Sequence, residues 1–269
     1  MKSNILKSFI ILLFIFGGSI MAQSHVHPDG ELTKMKVNKL SYKFKIGWFT
    51  LGGGDLVFEE NNMIIQDQYH HVVKAYAYTD GMAAFFTEMD DNYMSVINSR
   101  TLHPYLSEKH VTIKNGFWDQ WNSFDYDKNE ITVKAKKTKK GEKSDRNWVV
   151  NMTPDSYDIV STFVYFMDVD WSKHKKNDTV TVMTHYKKKV YPVSLIYKGK
   201  DKIKYNDEKV DTYLTQIYLP ADTEYTYGRP VHAWVSSDGR NIPLAIQCKL
   251  AFGNARCELT EVNGGTPDF

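Results

Sequence analysis

From residue 40 onward the chain is written in short alternating runs. Tyr42, Phe44, Ile46 and Trp48 share one parity, with Lys43, Lys45 and Gly47 between them. A period of two puts successive side chains on opposite faces of a strand, so one face is buried and the other is wet. Gly52-Gly53-Gly54 interrupts the pattern before Leu56, Val57 and Phe58 resume it, which predicts a bulge or a close backbone approach. Further candidate strands lie at 63–79, 83–89, 92–98, 106–114, 117–126 and 129–138, and again at 179–186, 189–199, 201–206, 209–219, 230–236, 242–251 and 255–262. Asp80-Gly81, Asp90-Asp91, Asn115-Gly116 and Asp127-Lys128-Asn129 punctuate them as turns. One segment has a different period. Thr153, Pro154 and Asp155 suit a helix start, and Ile159, Val160, Phe163, Val164 and Met167 recur at helical spacing, which predicts a helix over about 154–167. The pattern therefore predicts an all-β, mainly antiparallel fold: a strongly curved sheet, or an open barrel or sandwich, with one short helix packed on it.

The N-terminus changes where this fold is expected to work. Lys2 and Lys7 precede an unbroken apolar run from Phe9 to Phe16, followed by Gly17, Gly18, Ser19 and Ala22. This is the layout of a secretory signal peptide over 1–22, too short in its apolar part for a membrane span. The expected organisation is then a flexible tail at 23–34, a single β domain at 35–262 and a loose C-terminal tail at 263–269. No cysteine stands near the cleavage point, so the chain is expected to be soluble in the periplasm or outside the cell, without a lipid anchor or a transmembrane span. The full chain has 34 Lys and Arg against 32 Asp and Glu, and the leader holds two lysines and no acid. The mature balance is neutral, which argues against nucleic acid as a partner, since that binding rests on many phosphate contacts.

Candidate chemistry is sparse. Cys248 and Cys257 flank the turn signal Phe252-Gly253-Asn254, so they are directly opposite or diagonal on a hairpin, and in an oxidising compartment a disulfide is expected. Cleavage after Ala22 would place His25 third in the chain, where a free amine, two amides and an imidazole can wrap Cu(II) or Ni(II). Adjacent His70 and His71 face opposite sides of a strand and cannot chelate one metal, and no other metal site or cofactor is expected. Asp125 to Asn129 opens like a calcium loop but lacks its glycine and closing glutamate, so it reads as a hairpin turn. There is no Gly-x-Ser-x-Gly elbow, which ranks catalysis behind binding. The six lysines of Lys134 to Lys143 read as a solvated hairpin tip, or as an attachment point for an anionic envelope glycan or headgroup.

Three stretches in this order resemble a family of exported bacterial proteins known as domain of unknown function 3108: Leu40 to Gly54, Asp158 to Phe166, and Val231-His232-Ala233-Trp234 through Asp238-Gly239-Arg240-Asn241-Ile242-Pro243-Leu244. The resemblance spans about residues 35–262 and implies an antiparallel β fold and an envelope location. It implies no activity and no catalytic residues. The leading expectation is a non-enzymatic binder of an amphiphilic or hydrophobic envelope ligand, lined by Trp48, Phe49, Phe85, Phe86, Trp118 and Trp121. A glycan-binding or glycan-processing protein, and a structural envelope protein with protein partners, are the alternatives.

Overall fold

The alternating runs become strands because each can bury one face. In a computed structural model, residues 37–59, 63–86, 88–218, 230–250 and 253–269 are described, without the side chains of Met82, Phe85, Phe86 and Leu250. The expected signal peptide, the tail at 23–34 and His25 lie outside the described residues. The strands are β1 Lys39–Ile46, β2 Phe49–Phe58, β3 Met63–Ile65, β4 Gln68–Thr79, β5 Asp90–Asn98, β6 Pro104–Ile113, β7 Gly116–Asp125 and β8 Glu130–Lys139. They continue as β9 Glu142–Asn151, β10 Ser156–Tyr157, β11 Thr179–Tyr186, β12 Lys189–Tyr205, β13 Glu208–Tyr218, β14 Val231–Ser236, β15 Pro243–Leu250 and β16 Gly253–Val262. Two α-helices, α1 Gly81–Phe86 and α2 Ile159–Asp168, and a 3-10 turn at Trp171–Lys173 complete the described elements.

The strands form one sheet in the order β10-β11-β12-β13-β14-β15-β16-β1-β2-β4-β5-β6-β7-β8-β9, with β3 beside β4. All pairings are antiparallel except the short β10–β11 pair. The connectivity forces curvature. The sheet's two edges are β9 and β10, and only residues 152–155 separate them in sequence, so a chain of about 3.5 Å per residue must bring the edges together. The sheet curls into an open barrel that does not close by hydrogen bonds. Its concave side carries the main core, where Leu40, Phe44, Leu56, Ile97, Leu195 and Ile217 are at most 2% exposed. Each such side chain contributes about 1.5–3 kcal/mol by leaving water.

Helix α2 lies on this concave side and buries Val160, Phe163, Val164 and Met167. It begins later than Thr153 and Pro154 suggest. Asp158 is its N-cap, accepting from the Val160 and Ser161 amides at 2.7 and 2.9 Å, and the Ser161 hydroxyl closes a capping box on the Asp158 amide. Ser95 of β5 donates to the other Asp158 oxygen at 2.5 Å, which anchors the helix start to the sheet. Residues upstream are captured by the parallel β10–β11 pair instead.

Other boundaries differ for local reasons. The 63–79 run is a hairpin, because Gln66 and Asp67 take φ of 51° and 57° and reverse the chain between β3 and β4. The 83–89 run starts as a helix: the Asp80 carbonyl accepts from the Ala83 amide at 3.1 Å, and paired alanines favour helix. Strand β9 carries Glu142, Lys143, Asp145 and Arg146, whose charges mask its periodicity; such charges protect an edge strand. The 189–199 and 201–206 runs are one strand, β12, which bulges between Tyr197 and Gly199. The glycine stretch behaves as expected: a Cβ on Gly52 would sit 2.0 Å from the Tyr78 carbonyl oxygen, and a bulge lies between Phe44 and Lys45 beside it. Residues 263–269, expected to be loose, fold back. Asn263 accepts from the Asn38 amide at 2.6 Å, and Phe269 packs edge-on against Tyr205.

Candidate functional site

The site follows from the parity of three neighbouring strands. Ser107, Lys109, Val111 and Ile113 share the inward parity of β6; Trp118, Gln120, Asn122 and Phe124 share that of β7; Asp91, Tyr93 and Ser95 share that of β5. Opposite them stands the β11–β12 hairpin, with Lys187 and Lys188 at its turn. Side chains bridge the seam between this hairpin and β9. Val190 packs on the cluster of Phe124, Ile131, Val133, Val150 and Met152, and the Lys188 ammonium lies 5.7 Å from the Trp148 ring centre.

Beneath the seam is a cleft of about 550 Å³, within the usual range for small-molecule sites. Its apolar walls are Val111, Ile113, Trp118, Trp148, Ile159 and Tyr191, with the rings of Tyr93 and Tyr186. Four lysines, Lys109, Lys187, Lys188 and Lys189, stand against one carboxylate, Asp91. Asp91 is buried and accepts from the Thr112 amide at 2.7 Å. The inner end of the cleft continues into a polar recess of about 30 Å³ that adds Ser107, Asn122, Asp158 and His185. A ladder of side chains runs inward along β7: Trp118 Nε1 donates to Gln120 Oε1 at 3.2 Å, Gln120 Nε2 to Asn122 Oδ1 at 2.7 Å, and Asn122 Nδ2 to Ser107 Oγ at 2.9 Å. Interior amides satisfied in this way hold fixed orientations.

Burial sets the protonation of the recess. Desolvation holds the His185 imidazole down to about 4, reinforced by the charge of Lys109, so the ring is neutral near pH 7. Its Nε2 lies 3.2 Å from the Lys187 carbonyl. Desolvation lifts the Asp158 carboxyl to about 6 against four hydrogen bonds that favour its charge. Lys109 is pulled down to about 8, first by burial and next by the charge of Lys187, with Asp91 opposing. Among the described residues Lys109 has no ion-pair partner.

The expected binding residues are not gathered in one place. Trp118 lines the cleft. Trp121 has the opposite parity on β7 and is 37% exposed on the convex face, with Lys136 5.9 Å from its ring centre. Two residues three apart in one strand cannot share a face. Trp48 sits at the turn between β1 and β2, 83% exposed and stacked on Phe49 at 3.7 Å; Gly47 at φ 58° turns the chain there and ends the alternation. Phe85 and Phe86 fall in α1, and their side chains lie outside the described ones. The residues that sequence reasoning missed are Tyr93, Lys109, Val111, Ile113, Trp148 and the Lys187–Lys189 turn. A signal for Lys109 was present, because the Ser107-x-Lys109-x-Val111-x-Ile113 alternation puts a lysine on an apolar parity.

A further groove of about 350 Å³ on the convex side is lined by Lys74, Tyr76, Asn92, Glu108, Asp119 and Trp121, and shares Tyr93 and Lys109 with the cleft. His110 Nδ1 pairs with Asp119 there. Lys134 to Lys143 occupy the outer part of β8, the β8–β9 turn and the start of β9, mostly exposed, as a solvated hairpin tip would. Cys248 and Cys257 both stand as buried thiols. The register puts Cys248 opposite Ala255 and Cys257 opposite Ile246, so the two are diagonal. Diagonal positions lie about 7–8 Å apart, beyond ordinary disulfide reach. Among the described residues no three metal-ligating side chains converge, and no helix is long and apolar enough to cross a membrane.

No curated protein matches the chain. Among solved structures, a β-barrel-like protein of domain of unknown function DUF1849 from Brucella abortus is 9% identical, covers 86% of this chain and 97% of its own, and has a TM-score of 0.48. The Mycobacterium tuberculosis lipoprotein LppX is 8% identical, with coverages of 88% and 93% and a TM-score of 0.26. The family model described as "Protein of unknown function (DUF3108)" matches residues 40–260, from the start of β1 nearly to the end of β16, and the chain belongs to that family.

Proposed function

We propose that the chain is a non-enzymatic binding protein of the cell envelope that holds a hydrophobic or amphiphilic ligand in the cleft beneath the β9–β12 seam. One observation carries this reading: a cleft of about 550 Å³ whose walls are mainly aromatic and aliphatic side chains, inside a sheet that curls without closing. Water in such a space makes few hydrogen bonds, and apolar ligand surface replacing it gains about 25 cal/mol per Å². Two of the ionisable groups of the recess have structural roles: Asp158 caps α2, and the neutral ring of His185 packs edge-on against Phe124. That favours holding a ligand over transforming one. A secretory leader at 1–22 supports the envelope location.

The test is one-to-one binding of a fluorescent polyene fatty acid, compared with a Val111→Trp variant whose indole would fill the cleft. Saturable binding lost in the variant is expected. Equal binding by both proteins, or none by either, would refute the reading.

A glycan-binding reading is favoured by a different observation, the convex groove in which Trp121 and Tyr76 stand beside Glu108 and Asp119. Aromatic faces and carboxylates are what stack on and bond to sugar rings. A Trp121→Ala variant that kept all glycan-array signals of the wild type would remove it.

A further inference from the structure

We infer that one end of the curled sheet docks on an anionic lipid bilayer, with the cleft opening toward it. Antiparallel neighbours place alternate connections at opposite ends of a sheet. Ile113 pairs with Gly116, Gly116 with Lys139, and Lys139 with Glu142, so the β6–β7 and β8–β9 turns stand side by side at one end. The β11–β12 turn stands at the same end, across the seam. The three turns are Lys114-Asn115, Lys140-Gly141 and Lys187-Lys188: four lysines and no acid, all exposed. Lys139 and Lys189 flank them, against one carboxylate, Glu142. The other end leans toward negative charge. Asp67, Asp127, Asp155, Asp207 and Asp238 stand in its connections, and Lys128 and Arg240 there are paired with Asp125 and Asp238. The lysines are thus gathered at one end of a chain whose total charges nearly balance. An anionic lipid surface strengthens binding about fivefold for each lysine held within a Debye length.

Exposed aromatic rings stand at the lysine end too. Trp48 at the β1–β2 turn stacks on Phe49, and Phe117 beside the β6–β7 turn is 45% exposed. Such rings settle at the level of lipid headgroups, where one side is apolar and the other wet. Ile64 and Tyr69 are exposed at the other end, but on the hairpin turned by Asp67, which an anionic surface repels. Asp80 and Glu88 flank α1 at the lysine end, so the attraction centres on the three lysine turns. The cleft opens among those turns. Its lining runs out to Ile113 and to Lys187, Lys188 and Lys189, and the Lys187 and Lys188 ammonium groups lie 5.1 and 5.7 Å from the centres of the Tyr186 and Trp148 rings that wall it. A bilayer held against this end would offer its lipids to the cleft without a passage through water. That consequence rests on the cleft reading above; the docking does not.

The experiment is co-sedimentation of the chain, without its leader, with phosphatidylcholine vesicles that contain or lack phosphatidylglycerol. Wild type should bind the anionic vesicles about 10-fold or more tightly than the neutral ones at low salt, and lose that preference at high salt. Lys114→Gln/Lys140→Gln should weaken binding about 25-fold, the effect of two lysines, and Trp48→Ser about 10-fold. The same change of charge at the other end, Arg100→Gln/Lys128→Gln, should leave binding as it is, and so should the cleft-filling Val111→Trp. Equal binding to both kinds of vesicle, or equal losses from the two double variants, would overturn the inference. Absence of binding to anionic vesicles would also overturn it, and capture of polygalacturonate in its place would reassign the turns to an acidic glycan. Vesicle binding lost in Val111→Trp would overturn it in favour of lipid capture by the cleft alone. Vesicle binding intact in a protein that fails the fatty-acid test would strike the cleft reading and support the docking surface. The comparison of two vesicle types on wild type needs no variant, so a variant that fails to fold does not protect the inference.

Discussion

Replacing Lys109 with Met should make the protein more stable. The Lys109 ammonium ordinarily loses its proton at 10.5 and inside the cleft does so at about 8, because burial and the Lys187 charge disfavour the cation. At about 1.36 kcal/mol per unit, the charge costs the fold about 3 kcal/mol at pH 7. The sign follows from proton counts. Between about pH 8 and 10.5 the unfolded chain binds more protons at this site than the native one, so native stability rises with pH across that window. The stabilising contribution is full above the unfolded value and is lost as pH falls through the folded one. Wild type and Lys109→Met should therefore differ by about 3 kcal/mol at pH 7 and by only about 1 kcal/mol at pH 10. Urea denaturation of both proteins at the two pH values measures this directly. Any gain in packing from Met is independent of pH and cancels in the comparison. Asp91, Asp158, Glu108, His185, Lys187, Tyr93 and Tyr186 face the same region and are present in both proteins. A Lys109→Met variant less stable than wild type at pH 7, or a gap that does not narrow at pH 10, would refute the account of Lys109 as a cation that burial disfavours.

Asp158→Ala should cost about 2 kcal/mol in urea denaturation, since it uncaps α2 and leaves the Ser95 hydroxyl without its acceptor. Asp158→Asn keeps an acceptor and removes a charge that burial disfavours, so at pH 7 it should match or exceed wild type. Because this carboxyl is raised from 3.8 to about 6, wild type should recover against the Asn variant as pH falls through that window. Gly52→Ala should destabilise by more than about 3 kcal/mol or prevent folding, because its Cβ would meet the Tyr78 carbonyl at 2.0 Å and backbone cannot move aside cheaply. A thiol reagent should titrate both Cys248 and Cys257 after unfolding in denaturant and react slowly with the native protein, where both are buried; absence of reactive thiols in the unfolded chain would show that the hairpin adjusts to close the bridge.

The legible part of this protein was the part governed by local period. The alternation from Tyr42 was enough to expect β1, and the buried residues Tyr42 and Phe44 fall on the expected parity. The helical spacing of Val160, Phe163, Val164 and Met167 was enough to place α2 and its buried face. Boundaries failed where one side chain decides between competing caps, as Asp158 does over Thr153, or where a left-handed pair such as Gln66-Asp67 turns the chain without Gly or Pro. Strand β9 was missed because its edge position is advertised by charges that erase the apolar signal.

The cleft was much less legible. Aromatic residues were the right currency, but sequence could not sort them: Trp118 and Trp121 differ by one parity step, which sends one inside and the other to the convex face. Trp48 reads as the next member of an alternating run only until Gly47 turns the chain.

The sequence by itself determined the antiparallel β class, the packed helix α2, the close approach at the glycine stretch and the family. The first two rest on the period of residues near one another along the chain, and the other two on the glycine run and the order of the chain's motifs. The tertiary structure alone decided that the terminal strands β1 and β16 pair in the middle of the sheet, and that its two edges meet at a seam. It alone brought Lys109 of β6, Trp148 of β9 and Lys187 of the β11–β12 turn around one space. Those residues lie tens of positions apart, and their meeting is fixed by strand register and sheet curvature, which no local pattern encodes.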